Sequence, residues 1–241
     1  MTAKEARQEQ WKKLKDQPLS AKAKYIFTYY WMAIALSVFV VIFITSWIVS
    51  ALTSKDAVLS GCLVNSTMLQ SYQGSLADEF VETQQIDTQK YTFDLMTGVY
   101  LDATDISALE SIVTRIAVGD LDFVVVDLYT YPLLSAYWAD LESVLTEEQL
   151  EKYHPYMVYV ERDALRTLEE DSIDNGLVLP KYYQDPSELA DPVPLGIRIP
   201  ETSRLFDAYA FPKDDIIFGI SETNQRLDMT MAFLDFLFSK E

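Results

Sequence analysis

Residues 26–52 read IFTYYWMAIALSVFVVIFITSWIVSAL, and no charged side chain occurs between Tyr25 and Ser54. About 20 apolar residues suffice to cross the hydrocarbon core of a bilayer as a helix. Backbone groups find no water there, so such a segment has to be helical. Aromatic side chains stand near both ends of the run, as at the two interfaces of a membrane span: Tyr25, Tyr29, Tyr30, Trp31 and Trp47. We predict one transmembrane helix over residues 25–54, embedded in the lipid bilayer.

Two other structures are compatible with an apolar run, namely a buried core helix and a cleaved signal peptide. A core helix rarely stays free of charge over this length. The apolar region of a signal peptide spans only about 7–15 residues. Both alternatives therefore fit the length of the run less well than a membrane span does.

The charge of the flanking segments predicts the orientation of this helix. Residues 1–24 carry seven basic and three acidic side chains, a net charge of +4, whereas the remainder carries 12 basic and 34 acidic ones, a net charge of −22. Positive charge beside a span stays in the cytoplasm. We therefore expect a single-pass protein of the cell membrane, with a cytoplasmic N-terminus and an extracytoplasmic domain over residues 55–241.

The basic segment 1–24 is predicted to be a cytoplasmic juxtamembrane anchor. Its pattern favours a short surface helix with Trp11 and Leu14 on one side and lysines around them. Lysines next to a span are attracted to anionic lipid headgroups. A docking site for a cytoplasmic protein is the alternative function of this segment.

The acidic composition of the rest of the chain excludes one class of partner. Nucleic acids are bound through phosphates, which require clustered Lys and Arg. A net charge of −22 after residue 24 therefore argues against nucleic acid binding. It is typical of a soluble face in an extracellular medium.

The only cysteine, Cys62, lies in a Leu-Ser-Gly-Cys sequence over residues 59–62 that fits a bacterial lipobox by residue type. A lipobox directly follows its apolar run, however, and here Lys55 and Asp56 intervene. The alternative is that residues 57–65 form the first strand of the domain, since they are mostly small or β-branched. A single thiol cannot form an intramolecular disulfide, so the domain depends on its own core.

The first half of the domain alternates between strand and helix patterns. Ser75 and Asp78 resemble a capping pair, and Thr146 to Gln149 form a capping box. The predicted elements are strands at 57–65, 91–95 and 121–127, each followed by a helix, which begin at Ser75, Asp105 and Pro132. This order predicts a three-layer α/β fold with a mostly parallel sheet and right-handed crossovers.

The second half of the domain has weaker patterns. Short strands are predicted at 156–159, 177–179, 195–197 and 216–220, and a loop is predicted over the proline-rich residues 180–194. The chain closes with a helix from about Gln225. One apolar stripe on that helix is expected to pack in the core: Met229, Ala232, Phe233, Phe236 and Leu237.

Catalytic and metal-binding motifs are missing from the sequence. The single histidine, His154, can form neither a metal site nor a catalytic triad alone. There is no HExxH, CxxC, GxSxG or phosphate-binding glycine loop. Residues 171–176 suggest an EF-hand loop, but Ile173 occupies a ligand position. We therefore expect no catalytic residues, no metal, no cofactor and no enzymatic activity.

Three stretches resemble parts of type 2 periplasmic binding proteins, the extracellular solute-binding receptors of ABC importers. Residues 117–127, AVGDLDFVVVD, are similar to a helix–Gly-Asp–strand element, and residues 139–141, ADL, to the loop that follows it. Residues 219–224, GISETN, and 232–241, AFLDFLFSKE, are similar to a late strand and a closing helix. The overall plan also resembles small membrane-anchored proteins of Gram-positive Firmicutes.

The resemblance implies a binding-protein fold but differs from it in size. Such receptors have two α/β lobes that close on their ligand. Only 185 residues follow residue 56, about enough for one lobe. The resemblance therefore implies an extracytoplasmic domain similar to one lobe, whose ligand would lie on an open face.

Two functions follow from this interpretation. The first is a tethered, non-catalytic binding module for a small polar solute, a sugar or a peptide; the second is an envelope assembly protein that binds another membrane or secreted protein. Ligands of α/β sheets bind at the carboxyl ends of the strands. Six residues are predicted there and form the candidate ligand site: Asn65, Ser66, Asp127, Tyr129, Thr130 and Tyr131.

Overall fold

The computed structural model describes residues 18–53, 55–101, 106–164, 182–183, 185–212 and 215–239. The chain divides into two compact units, Met1–Ser54 and Lys55–Glu241. The predicted surface helix around Trp11 and Leu14 lies outside the described residues. So do the predicted strand at 177–179 and the rejected EF-hand loop at 171–176.

The first unit contains one long helix, α1, Leu19–Thr53. Its segment Tyr30–Val49 has a mean hydropathy of 2.6 and is not buried inside the protein. The hydroxyl groups of Thr28 and Ser37 donate to backbone carbonyls four residues earlier, each at 2.8 Å. Such back-bonding satisfies polar groups within the helix itself. Helix α1 is thus long and apolar enough to cross a bilayer, and it fits a membrane anchor or a signal sequence.

The second unit is a mixed α/β domain. Its described residues form a seven-stranded sheet in the order β3-β1-β4-β9-β7-β5-β6, and a separate antiparallel pair, β2-β8. The strands are β1 Asp56–Val64, β2 Thr67–Met68, β3 Tyr91–Val99, β4 Phe123–Asp127, β5 Met157–Glu161, β6 Tyr182–Tyr183, β7 Pro192–Arg198, β8 Tyr209–Ala210 and β9 Ile216–Ile220.

Strand direction confirms the predicted sheet only in part. Strand β1 pairs in parallel with β3 and β4, whereas β4-β9, β9-β7, β7-β5 and β5-β6 are antiparallel. Five of these seven strands point the same way, yet only two of the six neighbouring pairs are parallel. Two strands, β9 and β5, run opposite to the other five, and each is antiparallel to both of its neighbours.

Helices connect and cover these strands. They are α2 Leu76–Thr83, α3 Ile106–Ala117, α4 Leu141–Val144, α5 Glu147–Tyr153, α6 Leu205–Ala208 and α7 Leu227–Phe238. The predicted cap at Ser75 is confirmed, because its hydroxyl accepts from the backbone N–H of Asp78 at 3.3 Å. The predicted capping box is also confirmed, with reciprocal bonds between Thr146 and Gln149. The expected cap Asp105 lies outside the described residues.

Two local predictions hold only in part. A helix is present where one was expected at 132–138, but it is a 3₁₀ helix, Tyr131–Tyr137. The loop expected over 180–194 contains the short strand β6, Tyr182–Tyr183, and ends earlier, because β7 already begins at Pro192. Proline lacks a backbone N–H and is tolerated in strands where no ladder bond is needed, for example at irregular pairings. Pro194 lies opposite such a position, a register shift between Val158 and Tyr159.

The sheet separates two hydrophobic cores, which makes the domain three-layered. In β4, Phe123 and Val125 face one core, while Val124 and Val126 face the other. The first core contains α2 and α7, and its aromatic rings pack closely around Phe233, whose centroid is 5.1 Å from that of Phe123. The second core contains α3 and the 3₁₀ helix. The predicted three-layer arrangement and the predicted core role of the last helix are both observed.

An ion pair between the buried Asp122, just before β4, and the partly exposed Arg226, just before α7, joins these two elements. The Asp122 carboxylate is almost fully buried and accepts from the backbone N–H of Ser60 at 2.8 Å and from Arg226 Nη1 at 2.5 Å, both at Oδ2. Asp122 Oδ1 has no hydrogen-bond partner among the described residues. The amide of Asn224 donates to the Asp122 backbone carbonyl at 2.9 Å. Arg226 is therefore the cationic partner of a carboxylate that lies away from water.

Gly61 lies in β1 directly beside the ring of Phe123 on the parallel strand β4. It pairs with Phe123, and a Cβ atom at Gly61 would lie 2.0 Å from Phe123 Cζ. We expect Gly61→Ala to lower the free energy of unfolding by about 1–3 kcal/mol, because the buried ring cannot move without strain. Urea unfolding of the full-length protein in mild detergent measures this change.

The matched control for Gly61→Ala is the double variant with Phe123→Leu. The smaller Leu side chain relieves the clash, so the double variant should lose less stability than the two single losses added together. Additive losses would contradict the steric explanation.

Cys62 lies within β1 with its side chain fully buried, which supports the strand interpretation of this segment. Burial raises the pKa of the Cys62 thiol to about 12, with Arg115 lowering it and Asp94 raising it by smaller amounts. The thiolate is the reactive form of cysteine. We expect no alkylation by iodoacetamide at pH 8 in the folded protein and complete alkylation in guanidinium, as measured by mass spectrometry. Rapid alkylation of the folded protein would contradict the buried position.

Candidate functional site

The carboxyl ends of β1, β3, β4 and β7 lie at one end of the sheet, together with the amino end of the reversed strand β9. We call this end the carboxyl edge. Strand β1 comes first in the chain but lies between β3 and β4. The chain passes from β1 to β3 on one side and then returns across β1 to β4 on the other side, so the direction of the connections reverses beside β1. Ligands of open α/β sheets bind outside the carboxyl ends at such a switch point.

Three predicted site residues meet at this switch point and form a polar cluster: Asn65 after β1, and Asp127 and Thr130 at the end of β4. Asp127 Oδ2 accepts from Asn65 Nδ2 and from Thr130 Oγ1, each at 3.0 Å. Asp127 Oδ1 accepts from the backbone N–H groups of Tyr129 at 3.0 Å and Thr130 at 2.9 Å. Four donors therefore surround one buried carboxylate.

Asn65 connects the polar cluster to the end of β3, which lies on the other side of β1 from β4. Its backbone has φ 54°, a left-handed conformation that asparagine adopts more readily than most residues. Its amide donates to the Leu101 carbonyl at 3.1 Å and accepts from the Leu101 N–H at 2.8 Å. The backbone N–H of Asn65 donates to Val99 at 2.8 Å. The cluster thus fastens the ends of β1, β3 and β4 together.

The structure places the other predicted site residues differently. Ser66 is buried and donates its hydroxyl to the Leu63 carbonyl at 3.0 Å. Tyr131 is fully buried and stacks on Trp138, with ring centroids 5.8 Å apart. Tyr129 alone among the six predicted residues is exposed, at 73%. The role of these six residues in ligand binding remains a prediction, and their observed contacts stabilise the carboxyl edge.

A cleft of about 460 Å³ opens at the same edge. It lies where β7 ends and β9 begins, beside the small β2-β8 sheet. Its walls are partly aromatic and partly charged, and they include Arg198, Glu201, Phe206, Tyr209, Phe211 and Asp215.

Charged groups of the cleft are held in defined positions. Arg198 Nη1 lies 3.2 Å from Asp215 Oδ1, so the guanidinium and this carboxylate form an ion pair. Asp215 has φ 62°, an uncommon conformation for a residue other than glycine. Burial raises the pKa of the Tyr209 hydroxyl above its ordinary value. The phenol therefore stays protonated at neutral pH.

Phe206 and Phe211 form the apolar part of the cleft. Their rings meet edge to face, with centroids 6.1 Å apart and an angle of 74° between the planes. Both side chains are only partly buried. The cleft therefore offers aromatic surface next to fixed charges, a combination that binds an organic ligand with an apolar body and a polar group.

Exposed apolar side chains surround the open carboxyl edge. Met68, Tyr100 and Tyr129 follow β1, β3 and β4 and are 48%, 58% and 73% exposed. The hydroxyl groups of Thr67 and Tyr100 lie 3.4 Å apart. We call Met68, Tyr100 and Tyr129 the rim. Exposed aromatic groups of this kind are common in surfaces that bind other molecules.

Sequence reasoning missed the cleft. Its residues come from four separate segments between Leu69 and Ile216, and their meeting depends on the antiparallel insertion of β9. The only local signal is the spacing of Phe206, Tyr209 and Phe211 between two strands. That spacing matches no known binding motif.

Among the described residues, no three His, Cys, Asp or Glu side chains are grouped so as to hold a metal ion. His154 follows α5 and begins a short 3₁₀ helix, His154–Tyr156. His154 is therefore an exposed residue at the end of a helix.

No protein-family model matches the chain, and comparison with curated proteins and with solved structures gives no significant match. What the structure establishes is a mixed α/β domain and one apolar helix near the N-terminus. The resemblance to periplasmic binding proteins remains a prediction from the sequence.

Proposed function

We propose that the protein is a membrane-tethered, non-catalytic binding module. Helix α1 is the anchor in the lipid bilayer, residues 1–24 stay in the cytoplasm, and the acidic domain over residues 55–241 faces outward. The ligand is a small organic molecule, in the class of solutes, sugars and peptides. The charge difference between +4 before the helix and −22 after it supports this orientation.

The observation that carries the proposal is the cleft at the carboxyl edge. Its volume of about 460 Å³ lies within the range of about 300–1,000 Å³ that is usual for ligand sites. It combines aromatic walls with a few fixed charges, and it opens at the carboxyl edge, the edge of α/β sheets at which ligands bind. The resemblance to one lobe of a type 2 periplasmic binding protein adds support, and it implies a role beside an importer.

The polar cluster supports binding indirectly. It joins the ends of three strands through buried hydrogen bonds, so these strand ends are held in fixed positions. A surface that is ordered before binding loses less conformational entropy when the ligand arrives. The cluster therefore contributes rigidity, whereas the cleft contributes direct contacts.

Thermal melting of the full-length protein in mild detergent tests the proposal. A ligand present at 100 times its Kd stabilises the native state by about 2.7 kcal/mol, which raises the melting temperature by several degrees. Pools of sugars, amino acids, peptides and organic amines serve as probes. Ala210→Trp fills the cleft and should abolish the response, whereas Ala190→Trp, on an exposed turn elsewhere, should retain it. A response that survives Ala210→Trp would place the site outside the cleft.

Protease treatment of intact cells that express the protein tests the orientation. The domain over residues 55–241 should be digested while the basic N-terminal segment is protected. Digestion of the N-terminal segment alone would reverse the topology and contradict the proposal.

The rim favours a second function, an assembly protein that binds another envelope protein. Met68, Tyr100 and Tyr129 expose apolar surface across an open edge that one small ligand does not cover. A photocrosslinker at Tyr129 should then join the protein to one membrane partner, and one at the exposed Val118, beyond α3, should not. Equal crosslinking at both positions would contradict a specific interface.

A further inference from the structure

We propose that the cleft binds an organic cation, a compound with an ammonium group on a short apolar body. This inference rests on the proposed binding function and specifies the chemical class of its ligand. Three features of the described residues lead to it: the balance of charge in the cleft, the aromatic walls, and the charge of the whole domain.

The charge balance of the cleft is negative. Arg198 is paired with Asp215 at 3.2 Å, so its positive charge is already compensated. Glu201 also lines the cleft, is exposed, and forms no ion pair with any residue that the structure describes. Among the described residues, one carboxylate of the cleft therefore remains without a counter-charge. An ammonium group placed between Glu201 and Asp215 would supply it through charge-assisted hydrogen bonds.

The aromatic walls suit the same ligand. The faces of aromatic rings carry partial negative charge and attract cations that lie within about 6 Å of the ring centre. Phe206 and Phe211 meet edge to face, so the rings offer surfaces in two directions. The apolar body of the ligand can pack against one ring while the ammonium group lies near the other.

The charge of the domain acts over a longer range. After residue 24 the chain carries a net charge of −22, a field that concentrates cations near the surface and repels anions. An anionic ligand would be repelled by this field. The Arg198 guanidinium would attract it only weakly, because Asp215 already pairs with that guanidinium.

Three probes of similar shape and different charge test the inference: phenethylamine as the cation, 2-phenylethanol as the neutral compound and 3-phenylpropionate as the anion. Isothermal titration of the full-length protein in nonionic detergent measures each Kd. We expect the cation to bind at least about tenfold more tightly than the alcohol and the anion not to bind, because a hydrogen bond between charged groups is worth about that factor.

Glu201→Gln removes the unpaired charge and retains the shape of the side chain. Because Glu201 is exposed, the variant should weaken phenethylamine binding about two- to fivefold and leave 2-phenylethanol binding unchanged. Glu110→Gln removes an exposed carboxylate from α3 and should change neither the Kd of phenethylamine nor that of 2-phenylethanol. This pair separates an effect of the cleft from a general loss of negative charge.

The outcomes distinguish this inference from the function on which it rests. If the alcohol binds as tightly as the amine, or if Glu201→Gln leaves amine binding unchanged, the cation assignment is wrong while the cleft remains a ligand site. The cation assignment is also wrong, while the cleft remains a ligand site, if only uncharged or anionic compounds from the melting screen bind. If no compound binds and Ala210→Trp changes nothing, both proposals fail.

Discussion

Replacement of Arg226 by Met is expected to lower the free energy of unfolding by about 3–5 kcal/mol, the usual loss when one partner of a buried ion pair is removed. The Asp122 carboxylate is only 1% exposed, and Arg226 is its cationic partner. Without Arg226, Oδ2 retains only the Ser60 N–H, and Oδ1 has no partner among the described residues. Urea unfolding of the full-length protein in mild detergent measures the loss.

Lys152→Met is the matched control, because Lys152 forms an ion pair of equal length, 2.5 Å, with Asp235. Both side chains of that pair are about half exposed, at 51%. Exposed pairs contribute only about 0–1 kcal/mol, so this variant should lose little. Asp122→Asn in the Arg226→Met background removes the uncompensated charge and should recover part of the stability. Equal losses for Arg226→Met and Lys152→Met would contradict the importance of burial.

Replacement of Asp127 by Ala is expected to cost about 3–4 kcal/mol. Its carboxylate accepts four hydrogen bonds at 2.9–3.0 Å in the polar cluster, and the side chain is 1% exposed. Hydrogen bonds to charged groups are worth about 1.5–3 kcal/mol each, and part of that sum is offset because a buried charge disappears. Urea unfolding of the full-length protein in mild detergent also measures this loss.

Asp120→Ala is the control for Asp127→Ala, since Asp120 is an exposed carboxylate just before the same strand. Substitutions at such surface positions usually change stability by less than about 0.5 kcal/mol. Because Asp127 orders the carboxyl edge without touching the cleft, Asp127→Ala should raise the Kd of a cleft ligand only a few-fold at a temperature where the variant is folded. A variant of normal stability that no longer binds ligand would instead make Asp127 a direct ligand group, as the sequence alone suggested.

Local sequence patterns predicted the elements of the first half of the domain well. The period of the apolar residues identified α3 and the strands β1 and β4, and the capping residues Ser75 and Thr146 marked the starts of α2 and α5. These signals are readable because each depends on neighbours within one or two turns of the chain.

Other features depend on residues that are distant in sequence and were therefore missed. Strand β7 begins at Pro192 and continues through Pro194, which is tolerated because it pairs beside a register shift in the partner strand β5. The direction of β9 follows from its place between β4 and β7, which no local pattern encodes. No local pattern predicts the ion pair of Asp122 and Arg226 either, because these residues are 104 positions apart in the sequence.

The candidate site illustrates the same division. The rule that ligands bind at carboxyl ends selected Asn65, Asp127 and Thr130, and the structure brings these three residues together. It also shows that they bond to one another rather than face outward. A sequence position at a strand end indicates where a side chain is, but the neighbours decide whether its polar atoms are available.

The amino-acid sequence by itself determined the long apolar helix, the opposite charges on its two sides and the α/β alternation of the domain, because composition and short-range periodicity follow directly from residue order. Only the tertiary structure decided the mixed strand directions, the buried polar cluster and the cleft beside Arg198 and Asp215. These features arise where segments far apart in the chain pack against each other, and which side chains remain accessible there depends on all of those segments at once.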